Sequence, residues 1–372
     1  TTNFLMIFTP AFYFWKKSED RVKNKSYLFY WSWIFMMFLS ILGNYQSMAK
    51  PWINLIDLKI FLLTGLYVYP LKILFNDSKD RLKQILKVFF YVTAFASFVG
   101  LVSLYIGYNP LKGGKVCHLT RACGLYGMYM TYGYGIGMVV TLMIGAWRFQ
   151  SQLYRIISPA IYVLGFALNF TGLILSGCRG AYLGLIVAFP FTFLKKNKKL
   201  FFLSYIFLSL FVTATWIFIP KVQKLVYEST RYKSIVERLS MYPTVMRMAQ
   251  ENPFLGLGHQ NMKNFVGHYK KKYNVANPES IVDAHNNFLE ALGTTGVLGF
   301  FFFVLFHFFW FKEAYKRNDI LGQACVPFVV YLFVSGLFQN TFMDSENIYF
   351  IMAVYALFLA YKGEELNEKK VS

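Results

Sequence analysis

The chain has 372 residues, of which 56% are hydrophobic, 20% aromatic and 15% charged, and its formal net charge is +20. A soluble domain carries about 25% charged residues, whereas the charges here lie in short clusters between long apolar stretches, which excludes an ordinary soluble domain. Because most basic residues lie at the ends of these stretches, the charge indicates a membrane protein rather than a nucleic-acid-binding protein.

The apolar stretches predict an all-α fold, a polytopic transmembrane helix bundle of about 11–12 spans. The candidate spans cover residues 3–15, 27–44, 58–76, 87–108, 125–147, 159–176, 181–194, 200–219, 293–311, 321–338 and 348–361. The first and the seventh span are short. We expect a residue or a whole segment to be missing before the first.

The connecting loops predict the orientation of the bundle. The loops on one side, together with the tail at 362–372, carry 21 Lys and Arg residues, and the short loops on the other side carry 5. By the positive-inside rule the side rich in Lys and Arg is cytoplasmic. This count of spans leaves the N-terminus outside, and one additional span would return it to the cytoplasm.

The longest connection, residues 220–284, lies on the outer side and carries ten Lys and Arg against five Asp and Glu. Apolar residues at helical spacing are followed by Asn252-Pro253 and two glycines, which predicts a partly helical, basic periplasmic cap. The apolar residues are Leu239, Tyr242, Val245, Met246 and Ala249. We therefore divide the chain into transmembrane helices at 1–219, the periplasmic loop at 220–292, and C-terminal helices with a cytoplasmic tail at 293–372.

Three features of the outer face could carry chemistry. Arg179 lies between glycines in a tight turn and either binds phosphate through two hydrogen bonds or is an interfacial arginine that reaches water. Arg238 begins the first helix of the loop and either binds the same anion or is a solvated surface residue, and Arg231 and Arg247 compete with it. His285 lies where the loop re-enters the membrane, and it is either a proton-transfer group or a helix-capping or core residue.

The remaining sequence features restrict the chemistry. Cys117 and Cys123 share an outer loop and either pair or remain free thiols. No His, Asp or Glu cluster has the spacing of metal ligands, and no glycine-rich phosphate loop lies on the cytoplasmic side. We therefore expect no metal and no cofactor, and the sequence argues against an ATP-driven pump.

Four motifs on the outer face resemble those of the O-antigen ligase and polymerase superfamily. They are Arg121-Ala122-Cys123-Gly124 with Met130-Thr131, Ser176-Gly177-Cys178-Arg179-Gly180-Ala181, Asn252-Pro253-Phe254-Leu255-Gly256-Leu257-Gly258, and His285-Asn286 followed by Gly296-Val297-Leu298-Gly299. The resemblance covers roughly residues 117–300. Cys178 stands where the family usually has serine, and the predicted spans number one fewer than is usual in the family.

The resemblance implies a metal-independent, inverting glycosyltransferase of the bacterial inner membrane with its active site facing the periplasm. It implies that Arg179 and Arg238 hold the diphosphate of an undecaprenyl-diphosphate-linked glycan donor. It further implies that His285 is the general base and that Asn286 and Arg121 bind substrate.

The expected acceptor is lipid A–core, which would make the protein an O-antigen ligase. An O-antigen polymerase that extends the lipid-linked glycan is the alternative interpretation, because both reactions break the same bond. A polyprenyl-linked glycan transporter is a second alternative. We expect membrane lipid, donor and acceptor as the partners, and no nucleic acid.

Overall fold

The computed structural model describes residues 24–77, 80–147, 149, 153–154, 156–195, 197–218, 229–275 and 284–361. In chain order, the helices of these residues are α1 Lys25–Gly43, α2 Pro51–Asp57, α3 Lys59–Gly65, α4 Val68–Asp77, α5 Asp80–Ile106, α6 Tyr129–Trp147, α7 Pro159–Ser176, α8 Arg179–Ala188, α9 Lys198–Phe218, α10 Ser229–Glu251, α11 Met262–Lys272, α12 Asn287–Lys316, α13 Ile320–Gly336 and α14 Ser345–Ala360. One antiparallel hairpin joins β1 Tyr108–Asn109 to β2 Gly114–Lys115. The predicted all-α fold is confirmed.

Among the described residues, six helical segments are long and apolar enough to cross a membrane, and α13 and α14 are shorter apolar helices. The predicted spans from 27–44 onward each overlap a helix, whereas the predicted span at 3–15 lies outside the described residues. The third predicted span, 58–76, is divided between α3 and α4, and α2 precedes it. The α8 helix is short because it passes into a 3-10 turn that contains Pro190, whose ring cannot continue an α-helix. The protein is a multi-pass membrane helix bundle.

Glycines on α6 allow the neighbouring helices to approach it closely, as is common where membrane helices pack. A Cβ on Gly145 would lie 2.7 Å from the Cα of Ala324 on α13, and a Cβ on Gly133 would lie 2.6 Å from the sulfur of Cys178. The hydroxyl of Tyr331 on α13 donates a hydrogen bond to the Tyr134 carbonyl at 3.0 Å. The α6 helix therefore holds both α13 and the α7–α8 turn.

Two polar clusters fasten the ends of α12 and α13 opposite the long loop. The Lys195 ammonium donates to the carbonyls of Tyr315 and Arg317, at 2.9 and 3.1 Å, in the last turn of α12. A cation at this place satisfies carbonyl groups that the helix leaves unpaired. Arg317 in turn pairs with Asp319 at 2.7 Å, and Asp319 caps the first turn of α13.

The long loop contains the predicted helical pieces, α10 and α11, which pack on the start of α12 through buried apolar side chains. The buried face of α10 consists of Met241, Val245 and Met248, whereas Leu239 and Met246 are 58% and 50% exposed. The apolar pattern thus predicted the helix, but only part of it faces the core.

The α12 helix is broken at Gly296, where φ is 69° and ψ is −170°. A break within a helix leaves backbone groups without their usual partners. The 252–258 segment of the long loop supplies partners for three of them. These hydrogen bonds run from Leu257 N to Gly293 O at 2.9 Å, from Gly258 N to Thr294 O at 3.0 Å, and from Val297 N to Pro253 O at 2.8 Å.

Two motif glycines explain why this contact is possible. A Cβ on Gly256 would lie 2.7 Å from the backbone nitrogen of Gly296, and a Cβ on Gly296 would lie 2.6 Å from the carbonyl oxygen of Pro253. Both glycines also have positive φ angles, which other residues adopt only with strain. The glycines of two separate sequence motifs therefore meet in one backbone contact.

Candidate active site

The segment 337–344, between α13 and α14, is contacted by Arg238, His285 and Asn286. We call the end of the bundle that bears this segment the site end. It also bears the α7–α8 turn, the segment 107–128 and the start of α12 at Asn287. The candidate residues come from distant parts of the chain, so their meeting here is a property of the tertiary structure.

His285 precedes α12 and has a left-handed backbone with a φ of 46°. Non-glycine residues in this region cost roughly 1–3 kcal/mol and occur preferentially at functional sites. The Nδ1 atom of His285 lies 3.1 Å from the Oε1 atom of Gln339. Both side chains line a cavity of about 330 Å³, together with Glu290, Asn340 and Lys263. The imidazole is therefore presented to a polar cavity whose volume is at the lower end of the range of small-molecule sites.

Asn286 is 2% exposed, and its side chain is engaged in hydrogen bonds at every polar atom that it offers. Its Oδ1 atom accepts from the backbone nitrogens of Phe288 and Leu289 and caps α12. Its Nδ2 atom donates to the Tyr242 hydroxyl at 3.0 Å and to the Leu337 carbonyl at 3.1 Å. Asn286 thus holds α12, α10 and the 337–344 segment together beside His285, and its role in substrate binding stays a prediction.

Arg238 reaches the same segment from α10. Its Nη1 atom donates to the Phe338 carbonyl at 3.3 Å, and its Nη2 atom lies 4.0 Å from the sulfur of Met130. Its Nε atom is buried and has no hydrogen-bond partner among the described residues. A buried guanidinium donor without a partner favours an anion, which can accept its hydrogen bond.

Arg179 is exposed and begins α8, after Gly177 has ended α7 with a left-handed φ of 67°. The next residue, Gly180, packs on Phe338, since a Cβ there would lie 2.8 Å from the Phe338 Cβ. The turn that bears Arg179 therefore adjoins the residue whose carbonyl binds Arg238. A helix N-terminus adds exposed backbone N–H groups and a partial positive charge at this point.

Arg121 lies over the same turn. Its Nε atom would be 3.4 Å from a Cβ on Gly177, and its guanidinium carbon lies 4.3 Å from the centre of the Tyr129 ring. Burial raises the pKa of the Cys178 thiol in this turn to about 11, while Arg121 and Arg238 act on it in the opposite direction. Both guanidinium groups are thus close enough to act electrostatically on Cys178, which stays a neutral thiol.

The structure also answers whether Cys117 and Cys123 pair, gives the surroundings of Arg247, and adds a site residue, Gln339. Cys117 and Cys123 form a disulfide. Arg247 lies over the Tyr273 ring, with its guanidinium carbon 5.1 Å from the ring centre. Arg231 belongs to the first part of α10, where the side chains lie outside the described part of the structure. Gln339 was missed because it lies in a short polar loop without a recognisable motif.

Among the described residues, no group of three or more His, Cys, Asp or Glu side chains is placed to hold a metal ion. The cationic and hydrogen-bonding groups at the site end include the three arginines and the N-terminus of α8. The group suited to proton transfer is His285 in its cavity. Groups that can bind an anionic leaving group and a candidate base are thus both present at the site end, as transfer from a diphosphate donor requires.

The segment that bears most of the candidate residues is similar to a known family. Residues 164–304 match the family model described as O-antigen ligase, whereas a search of curated proteins gives no match. The matched segment runs from α7 into α12 and contains Arg179, Arg238 and His285. Members of this family are membrane enzymes of the glycosyltransferase type. The resemblance found in the sequence is confirmed over this segment, which is similar to the O-antigen ligase family.

Proposed function

We propose that the protein transfers a glycan from undecaprenyl diphosphate to lipid A–core at the periplasmic face of the bacterial inner membrane. One observation carries the proposal. Arg238 and His285 bind consecutive residues of one segment, Phe338 and Gln339, so that one segment holds both a cation and a candidate base. The donor needs the cation for its diphosphate, and the acceptor hydroxyl needs the base for its proton.

In the proposed reaction, His285 takes the proton of the acceptor hydroxyl while the hydroxyl oxygen attacks the anomeric carbon of the donor glycan. The bond between that carbon and the diphosphate oxygen breaks, and its electron pair leaves with the diphosphate. Attack from the opposite side inverts the anomeric centre. Arg179 and Arg238 stabilise the charge that develops on the leaving diphosphate, a task that a metal ion performs in other transferases.

Gln339 fits this mechanism as the residue that orients the base. With Oε1 accepting a hydrogen bond from Nδ1–H, the proton of a neutral His285 stays on Nδ1, and Nε2 becomes the proton acceptor. The left-handed backbone of His285 and the cap by Asn286 both restrict where the ring can lie. The ring is thereby oriented by three separate constraints.

The proposal is tested by transfer with purified protein in detergent, with undecaprenyl-diphosphate-linked glycan, lipid A–core and EDTA. We expect glycan on lipid A–core with wild-type protein and none with His285→Ala. His268→Ala, a change at an exposed histidine of α11, is the matched control and should retain activity. Longer chains that remain on undecaprenyl diphosphate would instead establish a polymerase. No product in either form, with sound donor and folded protein, would refute transfer.

A further inference from the structure

A second polar pocket lies at the site end, apart from the cavity of His285. It has a volume of about 180 Å³ and lies between the last turn of α5, the β1–β2 hairpin and the Arg121–Gly127 segment. Lys112 and Arg121 both line it, and none of its described lining residues is acidic. Glu346 binds the Gly127 nitrogen beside the pocket, at 3.4 Å. Two cations around one small volume favour an anionic occupant.

The hairpin that bears Lys112 is held against the opposite wall by Asn109, which is 5% exposed. The Nδ2 atom of Asn109 donates to the Gly124 carbonyl at 3.0 Å. Its Oδ1 atom accepts from the backbone nitrogens of Leu111 and Lys112, at 3.2 and 3.1 Å. The disulfide between Cys117 and Cys123, which also line the pocket, closes the intervening loop. The walls are thus fixed by hydrogen bonds and by a covalent link.

Ser103, on the last turn of α5, supplies an independent observation. It lines the pocket and is 4% exposed. Its hydroxyl oxygen is buried, and no group of the described residues hydrogen-bonds to it. A serine in a helix usually bonds to a carbonyl one turn earlier, and a buried hydroxyl without a partner is costly. A ligand oxygen in the pocket would provide the missing partner.

We propose that this pocket binds one phosphate group of a substrate glycan, separate from the diphosphate of the donor. Lys112 and Arg121 bind the phosphate oxygens by charge-assisted hydrogen bonds, and the Ser103 hydroxyl donates a further one. The inference rests on the proposed function, because it makes the pocket a recognition site for a transferase substrate. Arg121 also lies beside Gly177 of the α7–α8 turn, so the pocket adjoins the turn that bears Arg179.

The first test measures binding of inorganic phosphate to the purified protein in detergent by calorimetry. Lys112→Gln should weaken binding at least about tenfold, as expected for the loss of one charged partner. Lys271→Gln, at an exposed lysine of α11, is the matched control and should bind like wild type. Arg238→Gln separates this pocket from the candidate active site. Phosphate binding that depends on Arg238 and not on Lys112, or no binding by wild type, would overturn the proposal.

Ser103→Ala provides a variant that should not harm folding. Removing a buried hydroxyl without a partner should leave the melting temperature unchanged or raise it, yet phosphate binding should weaken. A lower melting temperature with unchanged phosphate affinity would show that the hydroxyl serves the fold and not a ligand.

The second test identifies which substrate carries the phosphate and is read from transfer kinetics. Lys112→Gln should raise the KM for one substrate and leave kcat unchanged, and prior removal of phosphate from that substrate should abolish the difference from wild type. A raised KM for the acceptor identifies lipid A–core as the source, and a raised KM for the donor identifies the donor glycan. Unchanged KM values for both would overturn the proposal.

His285→Ala should still bind inorganic phosphate, so failure of the transferase proposal is distinguishable from failure of this one.

Discussion

Replacing Gly296 by alanine tests whether the contact between the two glycine motifs stabilises the protein. The backbone at Gly296, with a φ of 69° and a ψ of −170°, lies in a region that is essentially restricted to glycine and costs an alanine roughly 1–3 kcal/mol. The added Cβ would lie 2.6 Å from the carbonyl oxygen of Pro253, which is backbone and cannot rotate away. Separation of the two segments would remove three backbone hydrogen bonds, each worth roughly 0.5–1.5 kcal/mol. The free energy of unfolding should therefore fall by about 3–6 kcal/mol.

Gly113→Ala is the matched control for Gly296→Ala. Gly113 has a φ of 62°, close to that of Gly296, but a Cβ there would meet nothing within 4 Å. It therefore reports the backbone strain alone, about 1–2 kcal/mol. Denaturant unfolding in detergent, followed by tryptophan fluorescence, compares the two variants with wild type. Equal losses of stability within about 0.5 kcal/mol, the usual scatter of surface substitutions, would refute the reasoning.

Three further predictions concern the site and its surroundings. Gln339→Leu should lower kcat about 5–20-fold, because His285 loses one orienting hydrogen bond. Gln339→Glu should move the acidic limb of the pH–rate profile to higher pH, because a carboxylate beside His285 favours the protonated imidazole. Arg179→Lys should lower kcat/KM about tenfold or more in the transfer assay, because lysine lacks the planar fork that binds phosphate through two hydrogen bonds. Burial lowers the pKa of His259 to about 4. The free energy of unfolding should therefore fall by about 3 kcal/mol as the pH is lowered from 6.5 to 4. This fall should be absent in His259→Gln.

The sign of the last prediction follows from the two states of the protein. The unfolded chain takes up a proton on His259 as the pH falls through about 6.5, whereas the folded protein does not until about pH 4. Protonation therefore stabilises the unfolded state first, and stability is lost as the pH falls. His268→Gln, at an exposed histidine, should keep the loss. Unchanged kinetics of Gln339→Leu would show that Gln339 does not orient His285. Full activity of Arg179→Lys would show that Arg179 does not need to bind phosphate through two hydrogen bonds.

The glycine motifs show how far sequence analysis reached. Both motifs were recognisable as short strings, and Gly296 was placed at the end of the loop region, yet nothing in either string shows that Gly256 touches it. The contact depends on a break in α12 and on the path of the 252–258 segment, and both are outcomes of packing.

Within the candidate site, the residue types were predictable and their partners were not. His285 and Asn286 are adjacent in sequence, but Asn286 turns inward to cap α12 and to bind Tyr242, whereas His285 faces a cavity. Gln339 lies 54 positions from His285 and has no motif of its own. The choice between a disulfide and two free thiols at Cys117 and Cys123 also had to wait for the fold of their loop.

The sequence by itself determined the membrane helices, the clustering of basic residues at their ends, and the residue types that we propose for diphosphate binding. These follow from local quantities, since the length of an apolar run and the position of a charge already decide whether a segment can lie in hydrocarbon. The tertiary structure alone decided which of these residues meet. The contacts of Arg238 with Phe338 and of His285 with Gln339 depend on how helices that are far apart in the chain pack together. That packing depends on close approach of helices at small residues such as Gly145.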